Sequence, residues 1–372
     1  MRVLVIGGGI AGVSAGYYLA LSGRDVVLAE QEATLAYHST GRSAALFFQN
    51  YGAMANRPLT RGSREFFEHP PDGLVDHNLM APRGALWVGR SDQIDSLRLA
   101  LAQSKEGDGS AMWLEPVQAV QIVPALRHEY LAGAVWEPEP VDLDVAAIHQ
   151  AFVRGMRAAG ADVITKAPIT GITRRAGQWD VAVGDQIVRA EVVVNAAGAW
   201  CDVVAAMAGA RPIGLQPMRR TAFMVPGSTA YADWPLVCDV DNEFYFRPDG
   251  VQILCSLADE TPTDPYDARP EEIDIALAIE RINIATTLGI RTVRSSWAGL
   301  RSFAPDRAMV IGFDPEADRF FWLAGQGGTG IQSAPAAGRL TAALVEGKDA
   351  PEDLTEFGLD LDKLSPGRFE RR

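Results

Sequence analysis

Six residues near the start of the chain, Gly7-Gly8-Gly9-Ile10-Ala11-Gly12, have the spacing of a phosphate cradle. The apolar run Arg2-Val3-Leu4-Val5-Ile6 ahead of them suits a buried strand, and Val13 to Leu21 read as a helix closed by Gly23 at a left-handed cap. In that setting the glycines play different parts. Gly7 permits the tight turn, Gly9 lets backbone approach a pyrophosphate, and Gly12 allows helix and strand to pack closely. Ile10 and Ala11 open the helix, whose unpaired N–H groups and positive dipole end favour phosphate. A second strand, Asp25-Val26-Val27-Leu28-Ala29, ends on Glu30, an acid able to accept both hydroxyls of an adenosine ribose, with Gln31 beside it. The chemistry expected of this stretch is the binding of a dinucleotide.

A second glycine-rich helix entrance lies near the other end of the chain. Phe320-Phe321-Trp322-Leu323-Ala324 leads into Gly325-Gln326-Gly327-Gly328-Thr329-Gly330, with Gln332 following and a helix expected through about Glu346. Two such entrances suggest one extended cofactor held at both ends. FAD fits better than NAD, because a helix N-terminus at Gly328-Thr329-Gly330 can stabilise the negative charge that collects on the flavin ring on reduction. Two further stretches have side chains small enough for backbone to lie against a ligand. One is Tyr37 to Ala45, which includes Arg42, Ser43 and Ala44; the other is Asn195 to Trp200, which includes Ala197 and Gly198. Cys201, Cys238 and Cys255 form no close-spaced ligand pair, the five histidines are scattered, and none sits in a flavin-linkage motif. Non-covalent FAD and no metal are therefore expected.

These residues need elements to hold them. With 372 residues, 48% of them hydrophobic, the chain can bury a large core and divide into two domains. The expected fold class is α/β: a Rossmann-type FAD-binding domain plus an α+β substrate domain with a large antiparallel sheet. The first is assembled from residues 1–80, 141–211 and 301–372, the second from 81–140 and 212–300. Helices are expected at 92–105 and from an Asp142 or Asp144 cap to about Ala158. Val163-Ile164, Trp179 to Val183 and Ile187 to Val194 read as strands returning to the first domain. From 212 to 300 the pattern is of alternating strands, with Pro248-Asp249-Gly250 as a hairpin turn; Pro335 is expected near the first turn of the last helix. A net charge of −13 without a basic cluster argues against nucleic acid. No run approaches a membrane span, so the expected location is cytoplasmic, with peripheral attachment to the inner membrane left open.

Several long segments in order resemble the D-amino-acid oxidase and dehydrogenase superfamily of FAD enzymes, and within it most closely the bacterial D-arginine dehydrogenases. They are Tyr37 to Ala45, Asn195 to Asp202, Leu215 to Arg220, Trp297 to Phe303 and Gly325 to Gln332. The resemblance covers nearly the whole chain and implies oxidation of a D-amino acid to its imino acid by hydride transfer to flavin N5. It further implies that Arg220 and Arg301 clamp the substrate carboxylate, and that Tyr51 and Tyr245 line the pocket. His38 reads as structural or near the cofactor. Where the arginine-oxidising relatives carry an acid for the distal cation, this chain aligns Ala85, and Leu46 replaces a polar histidine. Burying a cation without a counter-charge is costly, so neutral, apolar D-amino acids are expected over D-Arg and D-Lys. The alternative is a secondary or cyclic amine of the sarcosine, glycine or proline type, which the same clamp would hold. A silent flavin subunit would be expected to lack the clamp arginines. The electron acceptor stays open between quinone, oxygen and another carrier.

Overall fold

A computed structural model describes residues 1–105 and 109–369. Its centre is a six-stranded sheet in the order Val310–Phe313, Phe320–Ala324, Val192–Asn195, Arg2–Ile6, Asp25–Ala29, Asp162–Ile164. All neighbours are parallel except the first pair. Val3 to Val5, Val192 to Val194 and Phe320 to Ala324 are wholly buried, as continuous apolar runs must be when a sheet is covered on both faces. Helices Ile10–Leu21, Val145–Ala158 and Gly330–Val345 cover one face, in one apolar cluster with Val3 and Val5. The other face, carrying Leu4 and Ile6, packs under Trp179, Val181 and the helix Cys201–Met207.

The Asp144 carboxylate caps Val145–Ala158 by accepting the Ala147 N–H at 2.9 Å. The strands expected at 179–183 and 187–194 do not all return to the central sheet. Gln178–Val183, Gln186–Ala190 and Ile169–Arg175 form a separate antiparallel sheet lying on it, and only Val192–Asn195 rejoins the parallel layer. The alternating burial of Gln178–Val183 marks a strand with one wet face. Pro335 lies inside helix Gly330–Val345 and not in its first turn. The next amide, Ala336 N–H, donates sideways to Ser63 Oγ at 3.0 Å.

The second large sheet has nine strands. Eight run in the order Thr261–Pro262, Gln216–Pro226, Gln252–Ser256, Tyr245–Asp249, Leu236–Asp239, Ala85–Gly89, Gly133–Glu137, Met112–Leu114, and Ser295–Phe303 pairs with Gln216–Pro226. All its pairs are antiparallel except Leu236–Asp239 with Ala85–Gly89. One face carries Phe223, Phe246, Val237 and Leu86 into a core closed by helix Glu272–Ala285. That helix corrects the expectation of strands throughout 212–300. Its isoleucines bias a local reading toward strand, but Ala278, Ile282 and Ala285, spaced by four and three, bury one helical stripe. The hairpin turn also lies later than expected: Asp249 pairs with Gln252, leaving Gly250-Val251 as the loop and Pro248 in the strand. Position 301, taken as a domain boundary, falls within strand Ser295–Phe303. A small sheet in the order Leu46–Phe47, Val141–Leu143, Met80–Pro82 completes the fold. Among the described residues no helix is long and apolar enough to cross a membrane.

Candidate active site

A cleft of about 550 Å³ runs from the first glycine turn to the second large sheet. At its first end Gly7 adopts φ +109°, and a Cβ there would strike the Ala196 carbonyl. A Cβ on Gly12 would strike the Gly7 carbonyl, so Gly12 serves helix packing from outside the cleft. Gly9, Ile10 and Ala11 line the cleft, and the N-cap position of the helix is Gly9, which has no side chain of its own to cap it. The Ile10 N–H donates to Thr40 Oγ1 at 3.0 Å. Glu30 and Gln31 also line it, and the Glu30 carboxylate is fixed by the Gly8 N–H at 2.7 Å and the Glu32 N–H at 2.9 Å. The sequence reading missed His149, whose Nε2 lies 3.0 Å from the Gly8 carbonyl. Burial pushes its pKa below the ordinary histidine value, which suits a neutral ring donating to that carbonyl. A helix start with glycine at its N-cap, a glycine turn that a Cβ would block and an acid on the next strand fit the adenosine half of a dinucleotide.

Midway, Ser43 and Ala44 line the cleft while Arg42 pins their loop to the second sheet. Its guanidinium donates to the carbonyls of Ala268 and Ala298 at 2.9 and 3.0 Å and to Asp267 at 2.5 Å. Ala197, Gly198 and Trp200 face the same space, with His38 held between Glu32 at 2.9 Å and the Trp200 ring. Toward Arg301, Gly327 and Gly328 line the wall, and Gly330 lines it close to the Ile10 side chain, whereas Thr329 turns inward and donates to the Gln326 carbonyl at 3.0 Å. Gln332 reaches the cleft, but its amide is engaged with Phe48 N–H at 2.9 Å and Phe48 C=O and Thr60 Oγ1 at 3.2 Å. It therefore positions the segment that carries Tyr51. All three cysteines are free and buried. One exposed trio, Glu65, Glu68 and His69, brings its ligand atoms within 4.8 Å of one another, away from the cleft.

The two arginines singled out in the sequence meet at this end. Arg301 is only 16% exposed, and a Cβ on Gly328 would fall on its guanidinium. It donates to Tyr51 Oη at 2.6 Å and to Glu260 at 3.2 Å. Burial opposes its charge, but Tyr51 and Glu260 raise its pKa above the ordinary guanidinium value. Arg220 donates to the Asp259 carbonyl at 2.6 Å and to the same Glu260 oxygen at 3.4 Å. Glu260, which the sequence reading also missed, takes a third contact from Arg307 at 3.0 Å. Burial would raise its pKa, yet the three guanidiniums hold it below the usual carboxylate range. Tyr51 and Tyr245 both line this chamber.

The expectation built on Ala85 needs correction. Ala85 is fully buried between its register partners Leu236 and Glu137, and its methyl does not reach the cleft. The residue that does is Trp87, two positions along on the same face, with its indole N–H on Glu137 at 2.7 Å. Leu46 does line the chamber, as does Arg247, which sequence reasoning passed over.

This geometry is that of an FAD-dependent oxidoreductase. The chain belongs to the FAD dependent oxidoreductase (DAO) family, which it matches over residues 2–344. It is 27% identical over 370 residues to glycine oxidase of Bacillus licheniformis, covering 95% of each chain. To human mitochondrial sarcosine dehydrogenase it is 26% identical over 364 residues, covering 91% of this chain but 39% of that longer protein. Among solved structures, L-proline dehydrogenase from P. horikoshii superposes with a TM-score of 0.86 at 23% identity, over 100% of this chain and 98% of that one. These similarities support the family and its fold, not a specific kinship with D-arginine dehydrogenase.

Proposed function

We propose that this chain is an FAD-dependent dehydrogenase or oxidase that oxidises the carbon–nitrogen bond of a small amino acid of the glycine, sarcosine or proline type. The observation that carries this reading is the buried Arg301, seated where residue 328 has no side chain and hydrogen-bonded to Tyr51 in a chamber shared with Arg220. Three guanidiniums, Arg220, Arg301 and Arg307, surround the single carboxylate of Glu260, so the site retains positive charge for an incoming substrate carboxylate. Neutral D-amino acids, the first expectation, give way to the smaller amines because the relatives of similar sequence include an enzyme named for glycine and one named for sarcosine.

Glu30 would hold the ribose of FAD, Gly7, Gly9 and the amides of Ile10 and Ala11 its pyrophosphate, and the Gly327–Gly330 entrance its ring end. When bound, FAD supplies the two-electron oxidant that takes a hydride from the substrate carbon. Arg301 and Arg220 hold the carboxylate and so aim that carbon, Tyr51 fixes the Arg301 fork, and Trp87 and Leu46 narrow the chamber against water. The substrate ammonium gives its proton to solvent, and the imine product hydrolyses to a carbonyl compound and ammonia or an amine. Oxygen, a quinone or another carrier then takes the electrons. The test is anaerobic bleaching of the yellow flavin by a panel of glycine, sarcosine, proline and D- and L-alanine. Glycine, sarcosine or proline is expected to bleach it fastest. A protein that takes up no FAD, or that none of these amines reduces, would overturn the reading.

A further inference from the structure

We propose that the substrate of this cleft carries a second carboxylate and that Arg247 recognises it. The inference rests on the reading above and deepens it, because it names the substrate class. Arg247 follows Tyr245 by two on strand Tyr245–Asp249, so both point to the cleft while Phe246 between them points into the core. The Arg247 side chain is 13% exposed. Among the described residues its anionic neighbour is Asp142, whose Oδ1 lies 3.5 Å away outside a hydrogen bond, while Arg83 takes the other oxygen, Oδ2, at 2.6 and 2.7 Å. Arg83 is further satisfied by the carbonyls of Ala232 and Trp234 at 3.0 and 2.8 Å.

Two guanidiniums thus share one carboxylate, and the less engaged of them faces the cleft. Among the described residues Arg247 makes one hydrogen bond, to the Pro248 carbonyl at 3.3 Å, and its buried Nε has no partner. A guanidinium with five donors and so few acceptors is poorly compensated unless an anion completes it. On the sheet between Arg247 and Arg220 lies the register row of Cys238, Tyr245 and Ala222, and Leu46 and Leu236 line the same cleft, so this waist is apolar or small but for the Tyr245 hydroxyl. A chamber with cationic groups at both ends and an apolar waist matches a short amine bearing two carboxylates, one for each end. The same charge disfavours a cationic distal group, which replaces the Ala85 argument for rejecting arginine and lysine.

The test uses the FAD-loaded protein and two readouts. In the reductive half-reaction, D-aspartate, D-glutamate and N-carboxymethylglycine are compared with D-alanine and sarcosine. At least one diacid is expected to exceed its monoacid counterpart about tenfold in kcat/KM; Arg247→Met removes that ratio while changing the monoacids by less than about threefold. Arg247→Lys, which keeps the charge, is expected to retain part of the preference. Which diacid is favoured separates a chiral amino diacid from an N-carboxymethyl amine. Independently, malonate, succinate and glutarate are titrated against acetate by perturbation of the flavin spectrum. At least one dicarboxylate is expected to bind about tenfold more tightly than acetate, with the advantage lost in Arg247→Met. If no amine bleaches the flavin but the Arg247-dependent dicarboxylate preference holds, the anion subsite stands and the proposed amine oxidation falls. Equal treatment of mono- and dicarboxylates in both readouts, or an equal loss of both in Arg247→Met, overturns the proposal.

Discussion

Arg301 and Gly328 are two halves of one feature, since the guanidinium occupies the space that a side chain at 328 would fill. Replacing Arg301 with Met keeps an unbranched apolar stem but leaves Tyr51, and the substrate carboxylate proposed above, without a shared donor. Truncating one partner of a buried charged pair costs about 2–5 kcal/mol, so kcat/KM for flavin reduction should fall at least about 30-fold with little change in melting temperature. A variant that bleaches as fast as wild type at low substrate would make Arg301 a structural residue. At the other end of the cleft, His149 links a helix to the Gly8 carbonyl as a neutral ring. Its pKa is lowered by folding, so the unfolded chain binds the extra proton as pH falls through the ordinary histidine value of about 6.5. Stability from this source is complete above that pH and is lost below it. His149→Gln is therefore expected to flatten the fall in melting temperature between about pH 7.5 and about pH 5.5, and unchanged steepness would rule the group out. Glu260, Arg247 and His149 were not legible in the sequence because each is a single charged or polar residue with no spacing to flag it. That Gly7, Gly9 and Glu30 share one cleft was legible because it depends on local backbone order.

Helices Ile10–Leu21 and Gly330–Val345 cross where Gly338 lies against the Ser14 backbone, and a Cβ there would come within 2.8 Å of it. Both helices open into the cleft, with Gly330 set close to the Ile10 side chain, so their crossing sets how the two glycine entrances stand beside each other. Gly338→Val should force them apart at a cost of about 1–3 kcal/mol. The expected result is a lower melting temperature together with faster loss of FAD on dilution; a shift in stability with FAD retention unchanged would show that the crossing does not set the cofactor site. Elements whose start carries a local signal, such as Val145–Ala158 behind Asp144, were readable in advance. Glu272–Ala285 was not, because its isoleucines favour strand locally and only contact with the second sheet decides the matter.

At the scale of the whole molecule, the fold class followed from two strand-glycine-helix units at opposite ends of the chain with alternating strands between them. What one dimension could not show is which residue of a strand reaches a shared cavity. Ala85 and Trp87 occupy the same face of one strand, and side-chain length alone puts the second in the cleft and leaves the first behind it. The order of the central sheet has a further consequence for how the protein comes into being. Strand Arg2–Ile6 sits beside Val192–Asn195, which in turn sits beside Phe320–Ala324, so neighbours in space are far apart in synthesis. In synthesis the glycine turn before Ile10–Leu21 precedes the one before Gly330–Val345 by about the whole length of the fold, and the apolar flank of the first helix waits for the second to cover it. On the cofactor placement proposed above, flavin loading must wait until helix Gly330–Val345 has been made and folded, so cofactor uptake would report that step.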